Sequence, residues 1–408
     1  KYFVEGMQDA LITRLSRVTD LRVISKTSTL RYAEAKKSIP EIARELNVDA
    51  LIEGSVLRDG TQVRISAQLI HGTRDEQLWS KSYDRNLEDI LPLINDISLA
   101  IAEEIEITVK EQEPEPNNRA RRPVDLRVHE LVLQGQHYFD RFMLNKSRSY
   151  YQQALELDPE FAPAHAGLAG SYFLLGFFGQ EPAADVIPRA REAALKAIAL
   201  DSRSAGGYAT LGAIQLYFDW DWKSARKNLL RALELSPNDA RTRHAYADYL
   251  MVMGDLEGSL NQVEIGRLYD PLSPMANTVV DFHRILMRQY DAVIERGRTL
   301  IADNPDAVAN LPFYREALSL KGLHEEAYAA DKASWGGDEK LLQALERGYA
   351  ESGYTGAILD LAETLAGRSD ASTDYVILAK LYARAGEPDS ALEWLQKAYE
   401  FRQPQICL

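Results

Sequence analysis

Ala232-Leu-Glu-Leu-Ser-Pro237 is a short apolar helix end that stops at a proline, and close copies of it recur along the 408-residue chain. Pro237, Pro271 and Pro305 are each 34 residues apart, and Ala154-Leu-Glu-Leu-Asp-Pro159 is an earlier copy. A fixed period of this length indicates a stack of similar helical units rather than one large core.

Each unit places large and small apolar residues in a set order. Small residues let the two helices of a unit approach closely, while large residues fill the space between neighbouring units. The last unit shows the order with Tyr375, Leu378, Ala379 and Tyr382, followed by Ala391, Leu395 and Ala398. Glycines at the turn between helices, predicted to be left-handed, are Gly254, Gly322, Gly353 and Gly386. Residues 125–402 resemble the tetratricopeptide family, which implies an α-α superhelix of about eight repeats.

Residues 1–110 show a different pattern, in which helical and strand signals alternate. Asp59-Gly60 between two apolar runs is typical of a β-hairpin turn. Helical spacing predicts helices around residues 7–18, 39–46 and 91–105, and strands are expected at residues 21–25, 50–57, 62–71 and 77–83. The segment is therefore predicted to be a small α/β domain with helices on a mixed sheet. The charged, proline-rich residues 111–124 predict a linker.

Several short motifs in the first segment resemble a bacterial domain related to the TolB amino-terminal and FlgO domains. They are residues 2–13, 21–28, 42–48, 53–56, 63–69 and 78–79. The resemblance implies that an amino-terminal strand is missing here. It also implies an upstream effector, such as a winged-helix, nucleotide cyclase or Ser/Thr kinase domain, in a bacterial signalling or transcription regulator. The expected compartment is the cytoplasm, or the periplasm if a membrane span precedes residue 1.

Composition narrows the possible functions of this segment. The chain has a net charge of −14 and lacks the basic surface that phosphate neutralisation needs. We therefore do not expect it to bind nucleic acid. No apolar run reaches the length of a membrane span. One cysteine, Cys407, excludes an intrachain disulfide and a cysteine-based zinc site. Because no phosphate loop, zinc-protease motif or nucleophile elbow occurs, we predict no catalytic residue, cofactor or metal in this chain.

Partner-binding residues are predicted from the tetratricopeptide resemblance, in which positions 2, 5, 9 and 12 of each first helix line the concave face. A groove with one polar patch and apolar flanks suits a protein or peptide ligand. The same side chains could equally pack against one another or against an upstream domain. The predicted residues are Arg241, His244, Asp248 and Met251 of the fourth repeat, Phe282 of the fifth and Phe173 of the second.

Two hypotheses of different classes follow. The first is a non-catalytic regulatory module that binds a protein or peptide on the concave face and biases an effector. The second is a small-molecule or cell-envelope ligand sensor in the α/β domain, with the repeats as a dimerisation scaffold. The turn Asp219-Trp-Asp-Trp222 is expected to wedge neighbouring repeats apart, and its alternative role is to form part of a ligand surface.

Overall fold

A computed structural model describes residues 4, 7–8, 11–12, 15, 21–32, 37–59, 62–86, 97, 100–101, 126–368 and 374–407. Within these residues the chain is mainly helical, with one three-stranded antiparallel sheet followed by a series of helix pairs. The strands are β1 (Ala50–Asp59), β2 (Gln62–His71) and β3 (Gln77–Asn86), in the order β1-β2-β3. The predicted linker, residues 111–124, lies outside the described residues.

Two short helices, α1 (Lys26–Thr29) and α2 (Ile39–Leu46), precede the sheet, and eight helix pairs lie between residues 126 and 400 of the described chain. The seventh pair is the single element α15, kinked at the non-helical residues Ser352 and Gly353. The predicted helical repeats, and their number, are therefore confirmed. The pairs are α3 (Leu126–Phe139) with α4 (Leu144–Leu157), α5 (Ala162–Phe177) with α6 (Ala183–Leu200), α7 (Ala205–Ile214) with α8 (Trp222–Leu235), α9 (Ala240–Val252) with α10 (Leu256–Tyr269), α11 (Pro274–Leu286) with α12 (Tyr290–Asp303), α13 (Pro312–Leu320) with α14 (His324–Trp335), α15 (Glu339–Ala366), and α16 (Tyr375–Arg384) with α17 (Pro388–Glu400).

The turn inside a pair reverses the chain through one residue with positive φ. Gly254 has a φ of 85° and Gly386 a φ of 82°. The Gly254 N–H donates to Met251 O at 2.9 Å, and the next N–H, of Asp255, donates to Leu250 O at 2.9 Å. These bonds satisfy carbonyls at the end of the first helix. The predicted left-handed glycines are confirmed, and Arg288 adopts the same conformation, with a φ of 57°, in the fifth pair.

The sheet has one buried face and one wet face, as the alternation in β2 predicts. Val63, Ile65 and Leu69 are buried, and the helical residues Leu11 and Leu15 pack in the same core. The opposite face carries polar pairs across β2 and β3, such as Arg64 with Asp84. Asp59 pairs with Gln62, so the predicted hairpin is confirmed. All described strands pair antiparallel, in contrast to the mixed sheet expected.

Residues 21–25 do not form the strand that their apolar residues suggested. Their polar groups bind the end of the fourth helix pair instead. The Ser25 N–H donates to Tyr269 O at 2.7 Å, and the hydroxyls of Ser25 and Ser28 donate to Asp270 Oδ1 at 2.5 and 2.7 Å. Lys26 is buried and lies 2.7 Å from Asp140. This segment therefore anchors the sheet region to the helical repeats.

The residue contacts divide the chain into two compact units. The amino-terminal unit comprises Lys1–Ile214, Lys223–Arg243 and Ile265–Ser273, and it contains the sheet and the first two helix pairs. The carboxyl-terminal unit comprises Gln215–Trp222, His244–Glu264 and Pro274–Leu408. Its core is an apolar cluster that includes Val293, Leu318, Leu345, Ile358 and Leu361. The domain bounds 1–110 and 125–402 remain a prediction.

Close approach of helices at small residues fixes the packing within the amino-terminal unit. The buried Tyr151 ring of α4 lies between Gly135 of α3 and Gly167 of α5. A methyl group added at Gly167 would stand 2.2 Å from Cζ of Tyr151, and one at Gly135 would stand 2.7 Å from the same ring. Both separations are far below van der Waals contact, so only glycine fits at these two positions.

We expect Gly167→Ala to destabilise the protein by about 1–3 kcal/mol, because the buried Tyr151 ring has to move. Gly206→Ala in α7 is the matched control, since its added methyl group would meet Ala166 Cβ at an ordinary 3.5 Å. That change should be neutral or stabilise by up to about 1 kcal/mol through helix propensity. Urea unfolding followed by circular dichroism measures both. Equal effects of the two substitutions would contradict the close-approach argument.

Candidate functional site

Phe282, one of the predicted partner-binding residues, belongs to a mixed surface on the first helices of the carboxyl-terminal unit. Its half-buried ring on α11 lies 5.4 Å from the ring of Phe313 on α13. The ammonium of Lys380 on α16 lies 5.7 Å from the first ring and 5.8 Å from the second. We call these three residues the aromatic–lysine patch. It offers two aromatic surfaces beside a cation whose side chain is 48% exposed.

A buried ionic cluster holds the helices of this patch in place. Asp331 of α14 is fully buried and accepts hydrogen bonds from Arg315 of α13 at 3.4 Å and Arg384 of α16 at 2.5 Å. Tyr354 donates to the same carboxylate at 3.0 Å. Because two guanidinium groups and a hydroxyl compensate one buried carboxylate, the cluster fixes α13 and α16 with respect to each other. Phe313 and Lys380 are thereby positioned by their own helices.

Asp248, also predicted as a binding residue, lies in a buried triad with Tyr217 and His283. Tyr217 donates its hydroxyl to Asp248 Oδ2 at 2.5 Å, and His283 Nε2 lies 3.5 Å from Asp248 Oδ1. Tyr217 comes from the π-helix Gln215–Asp219 that follows α7, Asp248 from α9 and His283 from α11. All three are buried, so the triad is a polar group of the interior that lies beneath the first-helix surface.

Burial controls the charge of the triad. It raises the pKa of Asp248 to about 7, an effect that the Tyr217 hydrogen bond partly offsets. Burial also lowers the pKa of His283 and raises that of Tyr217 well above its usual value. His283 Nδ1 lies 2.8 Å from Val279 O, which can only accept, so Nδ1 carries a proton and Nε2 faces the carboxyl group. Burial therefore favours the neutral forms of both Asp248 and His283.

The other predicted residues lie in several different environments. Arg241 lies over the Phe139 ring at 4.9 Å and 4.0 Å from Asp140, within the amino-terminal unit. Phe173 is buried in the same unit beside Phe177. In the carboxyl-terminal unit His244 is buried and Met251 is half-buried.

Four residues of the patch and the triad escaped the sequence analysis: Tyr217, His283, Phe313 and Lys380. The prediction used the concave-face positions Leu216 and Phe282. Tyr217 and His283 each follow one of these positions by a single residue. Lys380 lies 98 residues after Phe282 in the sequence. No local pattern links side chains on different repeats. The position-9 rule applied to the eighth repeat would have selected Lys380.

Metal-binding and membrane-spanning features are lacking in the part of the chain that the structure describes. These residues contain no group of three or more His, Cys, Asp or Glu side chains suited to a metal ion. Among the helices described, none combines the length and apolar character needed to cross a bilayer.

Comparisons with known proteins agree with a regulatory context. The family model of the second domain of HilA/YgeH-like transcriptional regulators matches residues 2–98, the region for which the motifs suggested a TolB-like or FlgO-like domain. The chain is also similar to "Putative adenylate cyclase 3" of Rhizobium meliloti (strain 1021), with 32% identity over 216 residues. That match covers 52% of this chain and 36% of the relative, so the chain spans about a third of the relative's length.

Solved structures with a similar arrangement include tetratricopeptide proteins. The thermophilic protein TTC0263 of Thermus thermophilus has 16% identity and a TM-score of 0.39, over 47% of this chain and 98% of that one. YrrB, described as having an unusual peptide-binding site, has 22% identity and a TM-score of 0.29, over 43% and 86%. A human IFIT1 dimer with m7Gppp-AAAA has 13% identity and a TM-score of 0.46, over 77% and 78%.

The pKa shifts of Asp248 and His283 predict opposite pH dependences for two variants of the triad. In the range below pH 6.5 where native His283 is neutral, the native pair holds one proton, on Asp248, and the unfolded pair holds one, on histidine, so wild-type stability changes little through this pair. In Asp248→Asn only the unfolded state binds a proton, so stability should fall as pH drops below 6.5. In His283→Gln only the native state binds it, so stability should fall as pH rises towards 7.

Each slope should approach about 1.4 kcal/mol per pH unit relative to wild type. Urea unfolding at pH 5.5, 6.5 and 7.5 measures the free energies, and subtraction of the wild-type values removes the contribution of other groups. Parallel pH profiles for the two variants would show that burial does not raise the pKa of Asp248 and lower that of His283 in the folded protein.

Proposed function

We propose that this chain is a non-catalytic regulatory module that binds a protein or peptide segment on the first helices of its carboxyl-terminal unit. The observation that carries the proposal is the aromatic–lysine patch of Phe282, Phe313 and Lys380. The patch places apolar rings and a cation side by side. This is the chemistry of a surface that receives one apolar side chain and one carboxylate of a peptide.

Lys380 can exchange its ion pair with Glu316 for one with a carboxylate of a bound peptide. Its ammonium lies 3.9 Å from Glu316, a loose ion pair in which the lysine remains 48% exposed. An exposed pair of this kind contributes little to stability, so a carboxylate from a partner can replace Glu316 at small cost. The two rings supply the larger energetic term, because aromatic side chains bury the most area at interfaces. An acidic segment with an aromatic or aliphatic residue fits both.

The helices that carry the aromatic–lysine patch are held in place by buried polar contacts, which supports this patch as the binding site. The Asp331 cluster fixes α13 and α16 before any partner arrives. The Tyr217–Asp248–His283 triad links residues of the π-helix Gln215–Asp219, of α9 and of α11 within the carboxyl-terminal unit. Since these side chains are already ordered, a ligand would lose little entropy in arranging them.

The regulatory part of the proposal is supported by the comparisons. The matched family model is that of a domain of transcriptional regulators, and the similar relative is named a putative adenylate cyclase. We infer that the chain modulates an effector of this general kind, as a segment that receives a signal from its partner. The activity of the cyclase relative is not transferred to the residues of this chain, which match 36% of its length.

A random peptide display library selected on the 408-residue chain tests the proposal. Selected peptides should lose affinity about five- to tenfold in Phe282→Leu and in Lys380→Gln, corresponding to about 1–1.4 kcal/mol. Leu392→Ala on α17 is the matched control, because Leu392 is 63% exposed on a second helix of the same unit. Fluorescence polarisation with labelled peptides measures the dissociation constants.

Two results would contradict the proposal. One is the selection of no binding peptide, and the other is a set of peptides that bind Phe282→Leu and Lys380→Gln as tightly as wild type. Enrichment of acidic and aromatic residues among the selected peptides would match the chemistry of the patch.

A further inference from the structure

The Asp219-Trp-Asp-Trp222 motif forms an unusual turn. After α7 the chain widens into a π-helix at Gln215–Asp219, and Trp220 then adopts a φ of 58°. A positive φ is rare for a bulky residue and persists only where neighbouring contacts hold it. We call Gln215–Trp220, which belongs to the carboxyl-terminal unit, the Trp220 turn.

The contacts that hold Trp220 come from the carboxyl end of the same unit. The Tyr399 ring stacks on the Trp220 ring, with centroids 5.5 Å apart and an interplanar angle of 27°. The Arg402 guanidinium lies 5.2 Å from the Trp220 ring. Cys407 Sγ lies 4.0 Å from Leu216 O and 3.9 Å from Tyr217 O. Residues 399–407 therefore follow the turn from its indole to the carbonyl groups of the π-helix.

These contacts have the character of a reversible association. Tyr399 remains 54% exposed, and Arg402 is exposed as well. Stacking and cation–π contacts between exposed side chains are individually weak. By contrast, Tyr217, which lies directly beneath Cys407, is buried and bonded to Asp248. The outer contact can open while the buried triad below it stays formed.

We propose that residues 399–407 are an intramolecular latch, an occupant of the Trp220 turn that opens and closes reversibly. The Trp220 turn is thus a docking site for an aromatic residue and a nearby guanidinium, and the chain fills this site with its own Tyr399 and Arg402. The latch covers the backbone of Tyr217, whose hydroxyl binds Asp248.

Cys407 reports directly on the latch because it is the only cysteine of the chain. Its thiol is half-buried, and burial raises its pKa, which the neighbouring Trp220 indole partly offsets. Both conditions slow the reaction with a maleimide in the closed state. We expect the full chain to react at least about tenfold more slowly in buffer than in urea.

Trp220→Leu should raise the labelling rate in buffer at least about tenfold, without a matching fall in melting temperature. Trp222→Leu is the matched control from the same motif. Trp222 is 40% exposed at the start of α8, and its variant should react at the wild-type rate. A wild-type rate for Trp220→Leu, or an acceleration explained by global unfolding, would overturn the latch.

Substitution of Tyr399, which stacks on Trp220, tests the same contact. It keeps the proposal testable if Trp220→Leu fails to fold. Tyr399→Ala should accelerate labelling, whereas Phe401→Ala should not, because the Phe401 ring contacts Tyr375 instead. The double variant Trp220→Leu/Tyr399→Ala should react no faster than the faster single variant, since both changes open the same contact. Multiplied accelerations in the double variant would show two independent contacts and overturn the proposal.

The labelling rates need no partner, so they separate the latch from the proposed function. If library selection yields no peptide, the proposed function fails while the rates still decide the latch.

Discussion

The close approach of paired helices at small residues is the constraint on which the rest of this structure depends. Tyr151 fits between α3 and α5 because Gly135 and Gly167 leave room for its ring. The same relation recurs in the carboxyl-terminal unit, where the ring of Tyr314 fills the space above Gly297. Once each pair is fixed in this way, a regular period sets where the next first helix lies, and the candidate site consists of side chains on those first helices.

Polar groups in the interior of the carboxyl-terminal unit add specificity to this packing. A buried charge is costly unless its partners are present, so the Asp331 cluster forms only when α13, α14, α15 and α16 take their places together. The Asp248 triad follows a different rule, because burial raises the carboxyl pKa to about 7 and lowers the pKa of His283, so the neutral forms of both groups are favoured.

Residues 21–25 of the amino-terminal segment have a structural role that their composition does not predict. Apolar residues at 21–25 have the composition of a strand, yet Ser25 and Ser28 bind Asp270 at the end of the fourth pair. The backbone N–H of Ser25 is satisfied by Tyr269 O rather than by a neighbouring strand. This anchoring places the region matched by the transcriptional-regulator model directly on the helical repeats of the same unit.

The sequence by itself determined the helix pairs, the left-handed turn glycines and the β1–β2 hairpin. Each of these features depends on residues a few positions apart, so local steric preferences and periodicity predict it from a single sequence. It also selected Phe282 and Asp248 as partner-binding residues, which remains a prediction. Only the tertiary structure decided that Phe282 meets Phe313 and Lys380, that His283 lies beside Asp248, and that Tyr399 stacks on Trp220. Those side chains lie on helices separated by 31 to 179 residues in the sequence, and their meeting depends on the accumulated packing of every pair between them.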